Sequence, residues 1–413
     1  MGAQNGGAAV FLLARDYKMP INGRKLVIRG ALLSSVTNFD KIKCFIFDEG
    51  VDHAKCIGGK EVQFVYLGRP SIIALLINCF VKVLVGRWSL NEALYYDRKR
   101  LSVVMGDVRD ASFVYSDMIR MAPYASVSQS GFHLDMDDLL SLRYEKFSTS
   151  NSVGFGFSEG FFNGGSGALV LRLIKRVSAY VFKLESNLIS KREIYWANTA
   201  KTVSLVSPDE CAELERKSNI NVFNLPMAIS SPSVRWKRRS FVEKGLVGVF
   251  VGSIDIPGNY LSIEKYLSMI RRNGAPFKLR VIGVASDSSI GKLSHPDIEY
   301  LGYVEDMDHI FLNSDFVFCP IHGGTGIKTK VVEALSYGIP VLTTQDGLSG
   351  LAIPEELVFK FDLSDNSIYG LEERYTSLAS DSAVDSRINY FATNFGSDII
   401  HKKWCKVFMQ YQA

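Results

Sequence analysis

The sequence lacks the patterns of a disulfide-stabilised, zinc-binding or nucleic-acid-coating protein. Its six cysteines are scattered, with no Cys-x-x-Cys pair and no cluster with the six histidines, which is typical of a protein from a reduced cytoplasm. Lys and Arg exceed Asp and Glu only by 47 to 43, so no general positive field attracts nucleic acid. Any anionic partner must therefore meet a local patch.

Long apolar runs are also lacking. The longest, residues 71–85, covers about 15 residues and includes Lys82, whereas a membrane span needs roughly 20. This run predicts a core helix. The apolar residues 8–14 have no basic residue before them and are followed by Arg15 and Asp16, which is atypical of a secretory signal and predicts a first strand. We therefore expect a cytoplasmic protein.

The composition is that of a globular protein, with 47% hydrophobic and 22% charged residues, and the length suits about two to three domains. Short β-rich runs alternate with helical stretches, as in α/β domains with mainly parallel sheets. In the first half, we predict strands at residues 8–13, 43–47, 62–67, 125–128 and 202–206, and helices at residues 26–35, 71–85, 111–121 and 168–197.

A linker is predicted at residues 231–244, where apolar periodicity gives way to Ser, Pro and basic residues. It separates two Rossmann-like domains, residues 1–230 and residues 245–395, and residues 396–413 are expected to form a helix that packs back on the first domain. In the second domain, we predict strands at residues 246–251, 278–282, 298–300, 316–319, 341–343 and 358–361, with a helix at residues 260–272.

The most informative segment is a buried strand followed by a Gly-rich loop and a helix, residues 316–338. Thr325 is a plausible N-cap of that helix, and Gly338 is a stop signal. Free N–H groups and the helix dipole at such a start favour an anion at the carboxyl edge of a parallel sheet. The segment therefore predicts a site for a phosphate or diphosphate.

Two lysines near this helix start would add full positive charges. Lys330 shares a helix face with Glu333, which could accept hydrogen bonds from ribose hydroxyls, whereas both Lys328 and Lys330 reach one phosphate only if the helix starts late. The alternative is an exposed helix face with one weak ion pair. Gly252 and Ser253, which end the first strand of the second domain, favour a ligand site because a glycine lets a ligand approach the backbone.

Several segments of the sequence resemble a known protein family. Three segments in order resemble the donor domain of glycosyltransferase family 4, which has the GT-B fold: FVGSIDIPGN, IEYLGYVEDM and NSDFVFCPIHGGTGIKTKVVEALSYGIPVLTT. In the amino half, GRWSLNEALYYD, SDMIRMAPYA and HLDMDDLLSLRYEKF resemble a bacterial subgroup of that family involved in surface polysaccharide assembly. The resemblance implies two Rossmann-like domains that face each other across a cleft, a nucleoside-diphosphate sugar as co-substrate, and a metal-independent reaction with retention at the anomeric carbon.

The resemblance also assigns roles to residues on the donor side. Lys330 and Lys328 would stabilise the leaving diphosphate. The sequence departs from the family pattern Glu-x7-Glu, because the second Glu matches Glu333 and the first falls on Thr325; the Arg and Lys that many members carry after the first donor-domain strand are absent. The donor-binding candidates are Gly252, Ser253, Gly324, Thr325, Gly326, Lys328, Lys330 and Glu333.

The acceptor side is predicted at two strand-end loops of the first domain. Asn22, Gly23 and Arg24 lie in a turn near the cleft, or in a plain surface turn. The same region of the domain contains an acid cluster and a histidine in residues 131–138, namely His133, Asp135, Asp137 and Asp138.

The acid cluster has three readings: acids at a helix N-terminus, a carboxylate that orients or deprotonates the acceptor, or the metal-binding pair of a GT-A enzyme. We favour the second reading, since family members often place a functional His where Asp137 or Asp138 falls; His133 is a weaker candidate. Transfer with retention needs no strong base if the leaving phosphate takes the acceptor proton.

A basic amphipathic stretch at residues 172–201 suits either the surface of an anionic membrane or a core-facing helix with a solvated basic face. Residues 151–167, rich in Gly and Phe, could meet a lipid carrier or sugar rings. The expected activity is sugar transfer to a saccharide or lipid-linked saccharide in surface polysaccharide biosynthesis, at the inner face of the cytoplasmic membrane. The alternatives are a non-hydrolysing nucleotide-sugar epimerase, a non-catalytic GT-B-like sugar-binding subunit and a metal-dependent GT-A enzyme.

Overall fold

The computed structural model describes residues 7–16, 23–149, 168–238, 245–322, 326–364 and 367–412. Its contacts form two compact units, one of Met1–Met227 with Ile400–Ala413 and the other of Ala228–Ile399. Each unit contains its own mainly parallel sheet with helices in the connections. The predicted α/β class is confirmed.

The first unit is built on an eight-stranded sheet in the order β3-β4-β2-β1-β5-β6-β7-β8. Every neighbouring pair is parallel except β3 and β4. β1 and β5 are buried nearly throughout, as expected of strands covered on both faces. The strands are β1 (Ala8–Leu13), β2 (Lys41–Ile46), β3 (His53–Ile57), β4 (Lys60–Tyr66), β5 (Phe113–Asp117), β6 (His133–Asp135), β7 (Thr202–Leu205) and β8 (Val222–Asn224).

The helices of this unit connect successive strands, and several begin at a side-chain cap. Ser89 and Glu92 form a reciprocal capping box, and Asp97 caps the helix that follows. The helices are α1 (Gly23–Ser35), α2 (Ile72–Asn78), a π-helix (Cys79–Val85), α3 (Leu90–Ala93), α4 (Arg98–Asp110), α5 (Met118–Ala125), α6 (Leu140–Thr149), α7 (Ala168–Thr199) and α8 (Pro208–Ser218).

The second unit has a six-stranded parallel sheet in the order β11-β10-β9-β12-β13-β14. The strand order reverses between β9 and β12, and ligands of open α/β sheets bind at the carboxyl ends of strands at such a switch point. The elements are β9 (Val247–Val251), α9 (Pro257–Asn273), β10 (Lys278–Ile282), α10 (Asp287–Lys292), β11 (Ile298–Gly302), α11 (Met307–Leu312), β12 (Phe316–Cys319), α12 (Thr329–Tyr337), β13 (Val341–Thr343), β14 (Val358–Lys360), α13 (Leu371–Leu378), α14 (Asp381–Asn394) and α15 (Ser397–Met409), of which Ile400 onward belongs to the first unit.

One buried arginine fixes the end of α12 in the second unit. The side chain of Arg387, on α14, donates hydrogen bonds to the carbonyls of Gly338 at 2.8 Å, Leu378 at 2.6 Å and Leu357 at 3.3 Å. Gly338 is the C-cap of α12, and Leu378 is the last residue of α13. Arg387 therefore satisfies carbonyls at two helix C-termini, where the helix dipole also favours a cation.

Two sequence predictions in the first unit are wrong. The helix predicted at residues 111–121 is the buried strand β5 followed by the start of α5, and the strand predicted at residues 125–128 begins with the last residue of α5. Short apolar runs fit the helical and the strand periods equally well. Met118 has a positive φ of 62°, and the change from strand to helix occurs there.

The prediction of a core helix at residues 71–85 is wrong about burial. The segment is helical, as α2 and the π-helix, but Asn78 is its only buried residue within those two elements. Eight of its large hydrophobic side chains are exposed, and Leu75, Cys79 and Val83 are half-buried.

Candidate functional site

A bare stretch of backbone lies at the carboxyl end of β9, at the switch point of the second unit. Gly252 has a φ of 150°, and a Cβ built there would lie 2.8 Å from Asn259 Nδ2 and 3.2 Å from Lys330 Nζ. A Cβ on Gly283 would lie only 2.5 Å from the carbonyl oxygen of Gly252. Glycine is therefore required at both positions, and the backbone at the end of β9 lies close to a lysine ammonium.

Lys330, on the first turn of α12, has an unusual environment for a lysine. Its Nζ donates to Asn259 Oδ1 at 3.3 Å and lies 4.1 Å from the centre of the Phe250 ring. Burial lowers the pKa of the ammonium, and within the described part of the chain no carboxylate pairs with it. A desolvated ammonium without a counter-ion is costly, and such groups are concentrated at sites where a ligand brings the opposite charge.

Asn259 holds this lysine in place. It is the third residue of α9, and its Nδ2 donates to the carbonyl of Ser253 at 2.8 Å while its Oδ1 faces Lys330. The Ser253 hydroxyl donates to the carbonyl of Val284 at 2.9 Å. The Ser253 hydroxyl therefore stabilises the loop itself.

α12 starts later than the sequence predicts. It begins at Thr329 with Lys328 at the N-cap position, so the prediction of Thr325 as the N-cap is wrong. Lys328 Nζ donates to the carbonyl of Gly326 at 2.9 Å, and Gly326 has a positive φ of 71°. When α12 starts this late, both lysines can contact one phosphate.

Both lysines act on the end of the neighbouring strand. Lys328 and Lys330 each lower the pKa of the Cys319 thiol, the last residue of β12, although burial raises that pKa overall. Two positive charges therefore lie near the carboxyl end of β12, together with the N–H groups of the first turn of α12.

Glu333 lies one turn further along α12 and is half-buried. Burial raises its pKa to about 7. A carboxyl group with this pKa changes its charge near neutral pH, and only its ionised form is a pure hydrogen-bond acceptor.

The loop after β13 is hydrogen-bonded to the end of β12. The Thr343 hydroxyl donates to the carbonyl of Cys319 at 3.0 Å, and the Thr344 hydroxyl donates to the carbonyl of Ile321. A Cβ on Gly347 would lie 2.0 Å from Thr343 Oγ1. The two threonines therefore link the ends of β12 and β13, because their hydroxyls donate hydrogen bonds to backbone carbonyls.

In the first unit, Arg24 is the centre of a buried ionic network and not part of a surface turn. Gly23 and Arg24 are the first residues of α1. The Arg24 guanidinium donates to Asp117 Oδ1 at 2.8 Å through Nε, and one of its terminal nitrogens lies 3.0 Å from Asp135 Oδ2. Tyr115 donates its hydroxyl to the same Asp135 carboxylate. The network joins the carboxyl ends of β5 and β6.

The three aspartates of the predicted acid cluster have different surroundings. Asp135 belongs to β6 and to the Arg24 network, and Asp138 is buried and paired with Arg143. Asp137 has a positive φ of 63° and lies 3.9 Å from Arg24, and burial raises its pKa to about 7 although Arg24 opposes the shift. Asp137 is the most accessible carboxylate of the three, since its side chain is 21% exposed against 1% for Asp135 and 4% for Asp138.

His133 is not placed to contact an acceptor. It lies within β6, although the sequence predicts a loop there, and it is fully buried. Its two ring nitrogens are hydrogen-bonded to the hydroxyls of Thr202 at 2.8 Å and Ser204 at 3.0 Å. Burial lowers the pKa of its imidazole to about 4, so the ring is a neutral part of the sheet packing.

Some candidates lie outside the described residues, namely Asn22, Gly324, Thr325 and the segment 151–167. Across the described ranges, no group of three or more His, Cys, Asp or Glu side chains is arranged to hold a metal ion. Sequence reasoning missed Phe250 and Asn259, which contact Lys330, and it missed Asp117 and Tyr115. Asn259 had a signal, since it lies in the first turn of the helix that follows Gly252.

Comparison with known proteins agrees with this geometry. Residues 245–361, which lie within the second unit, match the family model described as "Glycosyl transferases group 1". No curated protein sequence matches the chain.

Solved structures resemble the whole chain at low sequence identity. HepE of Anabaena, in complex with UDP and glucose, has a TM-score of 0.61 and 11% identity, over 98% of this chain and 99% of that one. Sucrose-phosphate synthase from Thermosynechococcus elongatus has a TM-score of 0.65 and 11% identity, over 98% of each chain. The lipopolysaccharide outer core galactosyltransferase WaaB has a TM-score of 0.58 and 11% identity, over 97% of this chain and 99% of that one. The predicted GT-B fold and the resemblance to glycosyltransferases are confirmed.

Proposed function

We propose that this chain is a retaining, metal-independent glycosyltransferase of family 4. It moves a sugar from a nucleoside diphosphate to a saccharide or lipid-linked saccharide in surface polysaccharide biosynthesis. The observation that carries the proposal is Lys330, a half-buried ammonium without a carboxylate partner in the described residues, beside the bare backbone of Gly252. The similarity to HepE bound to UDP and glucose, and to the galactosyltransferase WaaB, supports the donor class and the pathway class.

The donor diphosphate binds at the start of α12. Lys330 and Lys328 supply two positive charges and the first turn supplies N–H groups, so the negative charge that develops on the leaving diphosphate is stabilised where it forms. Glu333 accepts hydrogen bonds from the ribose hydroxyls. No metal is required, because the two lysines and the helix N-terminus provide the positive charge.

The transfer step needs little from the acceptor side. The bond between the anomeric carbon and the diphosphate oxygen breaks, and the acceptor oxygen bonds to the same face of that carbon. The acceptor proton passes to the leaving phosphate oxygen. Asp137 orients the acceptor hydroxyl, and most of the rate comes from holding the two substrates together.

Glu333 gives donor binding a defined pH dependence. The pKa of Glu333 is raised from 4.5 to about 7 by burial, so the ionised form that accepts hydrogen bonds is depleted as pH falls below 7. The dissociation constant of a nucleotide sugar should rise about tenfold from pH 8 to pH 6. A nucleotide sugar is the right ligand, since its diphosphate does not titrate in this range. Calorimetric titrations of the wild type and of Glu333→Gln measure the effect, and an equal slope in the variant would exclude Glu333 as its source.

Product analysis tests the reaction class. The chain is incubated with UDP-glucose and a panel of alkyl hexosides in the presence of EDTA, and the product is examined by proton NMR. The proposal expects an α-linked product from the α-linked donor, with undiminished rate in EDTA. A β-linked product, or a reaction that stops in EDTA, contradicts it.

The same experiment separates the remaining alternatives. A nucleotide-sugar epimerase would consume the donor without acceptor and yield an epimeric nucleotide sugar. A sugar-binding subunit would bind the donor and release no UDP with any acceptor.

We also propose that this chain is a cytoplasmic protein and that it contacts the inner face of the cytoplasmic membrane. In the described residues no helix is long and apolar enough to span a bilayer. On α7, Lys183 and Lys191 are exposed. Arg192 instead pairs with the buried Glu92 at 2.8 Å, so part of the basic stretch serves internal packing.

A further inference from the structure

An exposed apolar surface covers one side of the first unit. It consists of α2 and the π-helix that continues it, residues 72–85, here called the apolar segment. Eight large hydrophobic side chains of this segment are each between 51% and 76% exposed: Ile72, Ile73, Leu76, Ile77, Phe80, Val81, Leu84 and Val85. Single exposed hydrophobic residues are ordinary, but a contiguous group of this size marks an interaction surface.

Polar contacts hold the apolar segment in this orientation. The Asn78 side chain donates to the carbonyls of Ala93 at 3.1 Å and Tyr96 at 2.6 Å. Ser71 caps the start of α2 by accepting a hydrogen bond from the backbone N–H of Ala74. The buried Asn78 side chain therefore faces the unit, Leu75 and Val83 are half-buried, and the eight side chains named above are exposed.

Basic residues flank the apolar segment in the sequence. Between Glu61 and Glu92 the sequence contains no acidic residue, and it contains Arg69, Lys82 and Arg87. Arg69 is paired with Asp48 at 2.9 Å, whereas Arg87 is exposed and has no ion pair among the described residues. Arg87, two residues beyond the apolar segment, therefore adds an exposed positive charge at its end.

Aromatic rings lie at the same border. The Lys82 ammonium lies 4.0 Å from the centre of the Trp88 ring and 4.1 Å from that of Tyr96. Trp and Tyr rings with neighbouring cations are the side chains that proteins place at the boundary between headgroups and acyl chains.

We propose that the apolar segment is a docking surface for a bilayer that contains anionic lipids. Its large hydrophobic side chains enter the boundary between headgroups and acyl chains, and Lys82 and Arg87 lie at the level of the lipid phosphates. The segment lies in the interface and does not span the bilayer, since its two helices have seven residues each. This inference rests on the membrane contact proposed above and names the surface that makes it. Vesicle binding requires neither donor nor acceptor, so its failure would leave the sugar-transfer proposal untouched.

A second copy of the chain is a poorer occupant. A two-fold contact would bring the same surface of both copies together. In such a contact Lys82 and Arg87 of one copy would approach the same basic residues of the other, and the apolar segment itself contains no acidic side chain to pair with them. Anionic lipids supply the missing negative charge.

The test is sedimentation of the full-length protein with vesicles of phosphatidylcholine alone or with 30% phosphatidylglycerol. We expect binding to the anionic vesicles. Leu76→Gln/Phe80→Gln should weaken it at least about tenfold, since two apolar side chains no longer leave water, and Arg87→Gln should weaken it about fivefold. The matched control is Val103→Gln on α4, which removes a hydrophobic side chain exposed by 59% outside the segment and should bind like the wild type.

Thermal melting and size-exclusion elution accompany each variant. Unchanged melting shows that a loss of binding is not a loss of folding, and Ile73→Gln/Leu84→Gln repeats the test at two other exposed positions. Absence of wild-type binding, or wild-type binding by both double variants, would overturn the proposal. A double variant that changes only the oligomeric state would instead assign the surface to contact between copies.

Discussion

Replacing Lys330 with alanine is expected to raise the dissociation constant for a nucleoside diphosphate about tenfold or more. The variant removes a charge-assisted contact to the diphosphate, which contributes about 1.5–3 kcal/mol. The geometry makes this lysine central, since its Nζ lies next to the bare backbone of Gly252 and is held by Asn259. Isothermal titration calorimetry with UDP, GDP and dTDP measures the effect on the best ligand.

Lys330→Met separates the charge from the packing. Methionine keeps an apolar stem against Phe250 but carries no charge, so it should lose affinity as alanine does. Because burial lowers the pKa of Lys330, the ammonium opposes folding at neutral pH, and the methionine variant should be at least as stable as the wild type without ligand. Lys292→Ala, an exposed lysine at the end of α10, should change neither property. Unchanged affinity in both Lys330 variants would refute the donor-site assignment.

Arg387→Ala is expected to destabilise the second unit by about 3–5 kcal/mol. The side chain is fully buried, and its loss leaves the carbonyls of Gly338, Leu357 and Leu378 without their donor, each at a cost of about 1–3 kcal/mol that local rearrangement partly offsets. The melting temperature should fall by roughly 10 °C. Differential scanning calorimetry resolves the transition of this unit.

The matched control is Arg271→Ala, which removes an exposed arginine from the last turn of α9. It should change the melting temperature by no more than roughly 2 °C, because exposed arginines contribute little to stability. Equal stability of Arg387→Ala and Arg271→Ala would show that other groups satisfy the end of α12.

The sequence predicted the second unit better than the first. β10, β12 and β13 have the bounds that their buried β-branched and aromatic runs predict, Lys278–Ile282, Phe316–Cys319 and Val341–Thr343. In the first unit, β6 has only three residues, which is too short a run for the helical or the strand period of hydrophobic residues to be recognised. The apolar segment shows a further limit, since hydrophobicity predicts burial only where another element covers the face.

Part of the candidate site could also be predicted from local sequence patterns. Glycines at strand ends and lysines at a helix start are local signals, and they identified Gly252, Lys328 and Lys330. The contact between Asn259 and Lys330 joins residues 71 positions apart, and the pair of Arg24 and Asp117 joins residues 93 positions apart. Such contacts depend on the sheet order, which one sequence does not state.

The central claim is that the second unit binds a nucleotide sugar at the start of α12. The most direct measurement is saturation-transfer NMR of the wild type and Lys330→Met with UDP-, GDP- and dTDP-sugars, each with and without magnesium. The account predicts binding of at least one nucleotide sugar by the wild type, equal with and without the metal, and strongly reduced binding by the variant. Absence of binding to every donor, or equal binding by the variant, would contradict it.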